Sequence, residues 1–473
     1  MTVVEEVDFL VIGSGPAGQK GAVQASKSGM KTVLIEGGEL GGASLWSGTI
    51  PSKTLREAVL DLTRFRTKNF YGTQSNLPAK SEISVSDLIY RLEWVKKHLQ
   101  ETTLRQLKKN KIDIVHGWAR FRDPHTVDVY RNEEKIRSFR AGKILLTPGS
   151  KPRALKGVIF DGKKIFDSTQ LLEMDVIPKS LLVVGAGVIG SEYASIFSVL
   201  GSKVIMIDRK ARILSFLDRE IGSHLLLALE ESKLSFHGNK DYESITVKGD
   251  EVVVQCKDGS VFTAEKALIA SGRVANVEGL SLDAAGLSLN GRGYIEVDEY
   301  FRTSVAHIYA AGDVIGKASL SSTGYVEGRL AALHAFHQKV DPVAKLFPYG
   351  IYTIPEISYI GKNEEELQAE GIDYEVGRSY FYEVSRSVIT GSESGLCKIL
   401  FDRKKRDILG VHIVGRGATE VIHIAQVAIS FNAKIDYFVE QVFNFPTFAE
   451  MYRIAALNGL NKLKKTGYIH GHI

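Results

Sequence analysis

Two stretches of the chain repeat one pattern of apolar and polar positions. The first is Phe9-Leu-Val-Ile-Gly-Ser-Gly-Pro-Ala-Gly18, a helical stretch, then Thr32-Val-Leu-Ile-Glu36. The second is Leu181-Leu-Val-Val-Gly-Ala-Gly-Val-Ile-Gly190, a helical stretch, then Lys203-Val-Ile-Met-Ile-Asp208. In each, a continuous apolar run predicts a buried strand, the glycines predict a tight turn, and the next apolar run ends on an acid. Strand, glycine turn, helix and strand ending in an acid is the pattern of a dinucleotide-binding βαβ unit. A lone Gly-x-Gly-x-x-Gly is weak evidence, whereas two copies in this context are strong.

Each glycine has a physical task. Gly13 allows the tight turn, Gly15 lets the backbone approach a pyrophosphate, and Gly18 lets the helix pack closely on the strand. The helix start then offers amide hydrogens and a partial positive charge to the phosphate. Glu36 would accept hydrogen bonds from a ribose diol. Gly185, Gly187 and Gly190 form the second cradle. There Asp208 suits the 2′-hydroxyl of NAD and repels a 2′-phosphate, while Arg209, Lys210 and Arg212 would neutralise such a phosphate or form a solvated turn.

Between the cradles, Leu88, Leu92, Val95, Leu99, Leu104 and Leu107 recur at helical spacing among charges, predicting a long half-exposed helix over 84–110. Short strands are expected over 112–149, ending in Ile144-Leu-Leu-Thr-Pro-Gly-Ser150. Leu268-Ile-Ala-Ser-Gly-Arg273 closes the second βαβ region in a similar way. From 346 onward, short strands such as Ile408–Val414 precede helices, which predicts a third domain. The apolar run 181–200 contains Glu192 and three glycines, so it reads as strand, turn and helix and not as a membrane span.

Composition narrows the class. The chain has 473 residues, 44% of them apolar and 24% charged, as in a globular protein of several domains. A net charge of +5 is small for this length and demands no nucleic acid. The two cysteines, Cys256 and Cys397, form no redox or metal motif, and such sparse use suits a reducing cytoplasm. Met-Thr-Val-Val-Glu-Glu carries no signal-peptide pattern. The histidines, His412 and His423 among them, show no metal spacing, and no metal is expected.

Further motifs point to one family. Thr303-Ser-Val-Ala-His-Ile-Tyr-Ala-Ala-Gly-Asp-Val314 is similar to the second flavin motif of FAD-dependent pyridine-nucleotide reductases. Gly41-Gly-Ala-Ser-Leu-Trp-Ser-Gly-Thr-Ile-Pro-Ser-Lys53, Glu327-Gly-Arg329 and Tyr352-Thr-Ile-Pro-Glu-Ile-Ser-Tyr-Ile-Gly361 extend the likeness. With both cradles, the chain resembles the flavoprotein disulfide reductases over nearly its whole length. The resemblance implies an α/β fold: two Rossmann-like domains, one for FAD and one for NAD(P), plus a C-terminal α+β dimerisation domain. The expected boundaries are 1–153 and 279–345 for the FAD-binding parts, 154–278 for the NAD(P)-binding domain and 346–473 for dimerisation. It implies FAD held by Gly13, Gly15, Gly18, Glu36, Lys53, Gly149, Gly312 and Asp313. NAD(P) would be held by Gly185, Gly187, Gly190, Asp208, Arg209 and Gly272. Lys53 would sit by the flavin and pair with Glu192, these two carrying the catalytic role.

The departures from the family pattern are as informative. Ser44 and Thr49 stand where the family carries its redox cysteine pair, and neither hydroxyl can form a disulfide. In Asn444-Phe-Pro-Thr-Phe-Ala-Glu450, Phe445 replaces the histidine that serves the thiols, while Glu450 remains. Thiols and base are lost together, which is coherent since each serves only the other. Val188 stands where some relatives place a tyrosine gate. The chain is most similar to the branch that moves hydride between NADPH and NAD, expected here by way of flavin N5 with one pocket used in turn. The alternatives are an NAD(P)H oxidase or diaphorase, or a binding-only redox sensor. A cytoplasmic homodimer or higher homo-oligomer is expected, with no nucleic-acid or membrane partner.

Overall fold

The computed structural model describes residues 3–63, 83–341 and 346–465. The expected domain limits at 1, 345 and 473 lie outside these described residues. The chain divides into two compact units. One comprises Met1–Leu55, Leu88–Leu155 and Ser271–Val343, the other Arg56–Asp87, Lys156–Ala270 and Ala344–Ile473.

In the first unit, the strand Val4–Ile12 runs parallel to both its neighbours, Thr32–Glu36 and Glu134–Leu146. Asp113–His116 continues the sheet beside Thr32–Glu36. Phe9, Leu10 and Val11 are fully buried, as an apolar run in a sheet covered on both faces requires. Glu134–Leu146 is longer than the short strands expected there. Its second half pairs with Ile308–Ala310 in parallel, and its first half joins an antiparallel meander with Thr126–Arg131 and Trp118–Asp123. The helix Pro16–Lys27 opens on proline, which sets the helical φ and lacks only an amide that has no partner there. The helix Ser321–Ala335 lies against it so closely that a Cβ on Gly328 would meet the Ala17 carbonyl oxygen at 2.0 Å. The long helix spans Val85–Lys109 and buries Leu88, Leu92 and Leu107.

The second unit holds a five-stranded parallel sheet in the order Leu234–His237, Lys203–Ile207, Ser180–Val184, Lys266–Ile269, Ile165–Phe166. The run 181–200 is strand, turn and the helix Val188–Leu200. Among the described residues no helix is long and apolar enough to cross a membrane. An antiparallel sheet follows in the order Tyr349–Ile351, Ile357–Gly361, Ile408–Val414, Leu396–Asp402, Tyr374–Tyr380. Phe381, Phe401, Phe438 and Tyr452 form the middle of its core with the helices Ala418–Ser430 and Glu450–Lys465.

Candidate functional site

The two cradles have the same geometry, residue for residue. Gly13 and Gly185 adopt φ of 99° and 109°, a left-handed conformation that favours glycine. A Cβ on Gly18 would lie 1.9 Å from the Gly13 carbonyl oxygen, and one on Gly190 would lie 1.9 Å from that of Gly185. Around Gly15 and Gly187 the space is open, with nothing within 4 Å of an added Cβ. The first and third glycines are therefore required by the chain itself, and the middle one leaves room for something else. The helices Pro16–Lys27 and Val188–Leu200 begin at that opening, aiming their positive ends at it.

Each acid is tied to its own cradle. Glu36 Oε2 accepts from the Ser14 amide at 2.8 Å and the Ser14 hydroxyl at 2.6 Å, and Oε1 accepts from the Gly38 amide. Asp208 Oδ2 accepts from the Ala186 amide and Oδ1 from the Lys210 amide, each at 2.7 Å. Both carboxylates thus stand at the mouth of a glycine turn, with lone pairs left for a diol. Arg209 and Lys210 are exposed beside Asp208. Arg212 is engaged elsewhere: its Nη1 donates to Glu365 Oε1 at 3.1 Å.

Asp313 is the end of a chain of contacts in the first unit. Ser150 Oγ donates to Asp313 Oδ2 at 2.5 Å, and Arg273 donates to Ser150 through Nε at 2.8 Å and to its carbonyl through Nη2 at 2.6 Å. Gly312 donates its amide to Glu327 Oε2 at 2.8 Å. Burial raises the Glu327 carboxyl above its ordinary range, opposed by that amide and reinforced by the Asp313 charge. Gly149 and Gly272 both adopt positive φ beside open space, and the Gly272 carbonyl accepts from the Arg153 amide. Gly272 lies in the first unit, not in the one that holds the second cradle.

Lys53 lies on the helix Thr49–Thr63, half-buried, with Nζ donating to Ser52 Oγ at 3.2 Å. Glu192 is buried in the helix Val188–Leu200, and its Oε1 accepts from the Tyr352 amide at 3.0 Å. Ser44 and Thr49 are hydrogen bonded and not merely packed: both hydroxyls meet Ser321 Oγ, at 2.7 and 3.2 Å. Phe445 is 66% exposed, and Glu450 Oε2 is buried with no hydrogen-bond partner among the described residues. Cys256 and Cys397 are free buried thiols, the latter raised by burial. His412 Nε2 pairs with the Lys362 carbonyl, and His423 lies on an exposed helix face beside Gln426. Val188 opens its helix.

Sequence reasoning missed Ser150, Arg273, Ser321 and Glu365 as functional partners. The first two ended motifs that were read for their glycines, and the others carried no local signal.

The family described as pyridine nucleotide-disulphide oxidoreductase matches residues 7–335, and its dimerisation domain matches residues 347–456. The chain is 40% identical to the soluble pyridine nucleotide transhydrogenase of Mycobacterium tuberculosis (strain ATCC 25177 / H37Ra), covering 98% of both chains. It is 41% identical to the soluble pyridine nucleotide transhydrogenase of Chromohalobacter salexigens, covering 97% of this chain and 99% of the other. Among solved structures it matches LpdA from Mycobacterium tuberculosis with a TM-score of 0.88 at 26% identity, over 95% of this chain and 99% of that one. HOCl-induced flavoprotein disulfide reductase RclA from Escherichia coli matches with a TM-score of 0.86 at 25% identity, over 95% and 99% of the two chains.

Proposed function

The chain belongs to the pyridine nucleotide-disulphide oxidoreductase family, and we propose that within it this protein is an FAD-dependent transhydrogenase moving hydride between NADPH and NAD. The observation that carries the reading is two open cradles combined with hydroxyls, in place of thiols, at residues 44 and 49. Near-full-length likeness to proteins named soluble pyridine nucleotide transhydrogenase supports it.

FAD fits the first cradle in its open middle glycine, its helix start and its tethered acid. When bound, FAD supplies a ring system that accepts a hydride and returns it. The rest of the work falls to the chain. The opening at Gly15 takes the pyrophosphate, Glu36 takes a ribose, and Asp313, oriented by Ser150 and Arg273, takes the ribityl chain. Lys53 supplies a cation beside the ring, where electron density builds. The opening at Gly187 takes the nicotinamide dinucleotide, with Asp208 on its ribose. NADPH and NAD use this pocket in turn, and the small Val188 leaves it accessible. The working form is a cytoplasmic homodimer, or a higher homo-oligomer, assembled through residues 346–473.

The test is anaerobic stopped-flow absorbance in the flavin band. NADPH is expected to bleach the band and NAD to restore it, and initial rates should give parallel double-reciprocal lines. Recovery with oxygen or a quinone but not with NAD would favour the oxidase reading. A band that NADPH leaves unchanged would leave only the sensor.

The exposed Arg209 is the first candidate to meet a 2′-phosphate. Arg209→Ala is expected to raise KM for NADPH about tenfold, with little change for NADH, on the scale of one charged hydrogen bond. Equal changes for both nucleotides would show that Arg209 does not read the phosphate. Arg212→Ala is expected to do less, because Glu365 already holds that guanidinium.

A further inference from the structure

Three hydroxyls meet at the edge of the first cradle. Ser321 Oγ lies 2.7 Å from Ser44 Oγ and 3.2 Å from Thr49 Oγ1, so Ser321 is the hub and the other two are its arms. The trio is placed against the cradle by backbone packing from two directions. On one side, the Gly41 amide donates to Ser14 Oγ at 2.9 Å, and a Cβ on Gly42 would meet Gly15 Cα at 2.9 Å. On the other, Ser321 opens the helix whose Gly328 lies on Ala17 of the cradle helix. Ser44 and Ser321 are half-buried and Thr49 is exposed, so the trio is open to a ligand. Lys53 follows Thr49 by four positions on the same helix and shares its face.

Proton counting says what such a trio can do. Three hydroxyls carry three protons. The two contacts to Ser321 consume two of them, and the third is left to donate outward. The cluster is neutral and has no thiol, so it can neither accept electrons nor place a negative charge beside a ligand. Its outward O–H is held in place by the hub, and a donor fixed in advance stabilises developing negative charge better than one that must reorient.

We propose that Ser321 is a positioning residue that holds Ser44 and Thr49 as a fixed hydroxyl donor toward the flavin, a proposal that rests on FAD occupying the first cradle. The donor favours the electron-rich reduced ring, together with Lys53. Losing the hub lets the two arms turn to water, so the reduced flavin becomes less favoured.

The test compares wild type with Ser321→Ala and Ser321→Thr, each purified with its flavin. Ser321→Ala is expected to displace the flavin absorption maximum and move the midpoint potential to more negative values. It should slow flavin reduction by NADPH and speed flavin reoxidation by NAD. Opposite changes in the two half-reactions are a signature that loosened packing would not give. Ser321→Thr keeps a hydroxyl at the hub and is expected to restore the wild-type potential. Adding Ser44→Ala and Thr49→Val to Ser321→Ala should shift the potential little further, because residues acting as a unit are not additive. Unchanged spectrum and potential in Ser321→Ala, even with a lowered melting temperature, would overturn the proposal. Wild-type protein that binds no flavin would instead sink the reading of the first cradle, and flavin content separates the two failures.

Discussion

Lys398→Met is expected to lower the unfolding free energy of this chain by about 3–5 kcal/mol, the cost of leaving buried charges without their partner. Lys398 is fully buried. Its ammonium donates to both Asp218 carboxylate oxygens at 2.9 Å and to Glu364, and lies 3.0 Å from Glu220 Oε2. The three acids have carboxylate oxygens within 4.8 Å of one another, the spacing of metal ligands, and the Lys398 ammonium bonds to them. Without it Arg378, whose Nε donates to Glu220 at 2.8 Å, still supplies a counter-charge. Asp218 also caps the helix Arg219–Glu231 by accepting from the Glu220 amide at 3.0 Å. Asp218→Asn in the Lys398→Met background keeps a capping oxygen, removes one charge and should recover part of the loss. Urea unfolding measures both, and an unchanged midpoint in Lys398→Met would show that the cluster does not hold this unit together.

The same cluster sets an acid limit. Burial favours the neutral form of Asp218 and Glu220. It is outweighed by the Lys398 charge at Asp218 and the Arg378 bond at Glu220, so both carboxyls lie below their ordinary 3.8 and 4.5. The unfolded chain then binds protons more readily than the folded one. This contribution is complete above about pH 4.5 and is lost as pH falls through the lower folded values. Lys398 is displaced upward: burial opposes its charge, but Asp218, Glu364 and Glu220 outweigh it. Its contribution is complete at neutral pH and fades only as pH rises through a value above the ordinary 10.5. The Lys398→Met variant should therefore lose less stability between pH 6 and pH 3, on the order of a few kcal/mol less, than wild type does.

Alanine at neighbouring cradle glycines should act in opposite ways. At Gly18 its Cβ would stand 1.9 Å from the Gly13 carbonyl oxygen and 2.7 Å from Thr147 Oγ1, so the helix must move off the strand. The chain is expected to lose about 1–3 kcal/mol of stability, and its flavin with it. At Gly15, φ is −63° and the space is empty, so alanine fits the unliganded backbone. There the flavin-free chain is expected to gain about 0.4–1 kcal/mol, because alanine restricts the unfolded chain. Flavin content should nonetheless collapse, since the new methyl occupies the place proposed for the pyrophosphate. Gly190→Ala and Gly187→Ala should repeat the contrast for the nicotinamide nucleotide. Melting temperature against bound flavin, and calorimetric titration with NADH, read both halves. A Gly15→Ala protein that retains full flavin would contradict the cradle assignment.

Both cradles were legible in the sequence because each is made within about thirty consecutive residues. An apolar run can be a strand anywhere, but an apolar run that stops on Gly-x-Gly-x-x-Gly has one compact way to continue into a helix. The strand Ile408–Val414 and the helix Val85–Lys109 were legible for the same reason, since periodicity reports which positions are buried. Periodicity does not report what a buried position meets. Nothing near Ser321 marks it as the partner of Ser44, 277 positions away. Ser150 and Asp313 are 163 positions apart, and Lys398 and Asp218 are 180 apart.

Taken alone, the sequence determined the two cradles, their acids and the hydroxyls at 44 and 49, because each depends on residue identity and local backbone. Only the tertiary structure decided that those hydroxyls share Ser321, that Arg212 is held by Glu365 and that Lys398 lies among three acids. Those partnerships depend on chain closure over long separations, and the geometry that brings the partners together is fixed by the packing of whole elements, which no local pattern records.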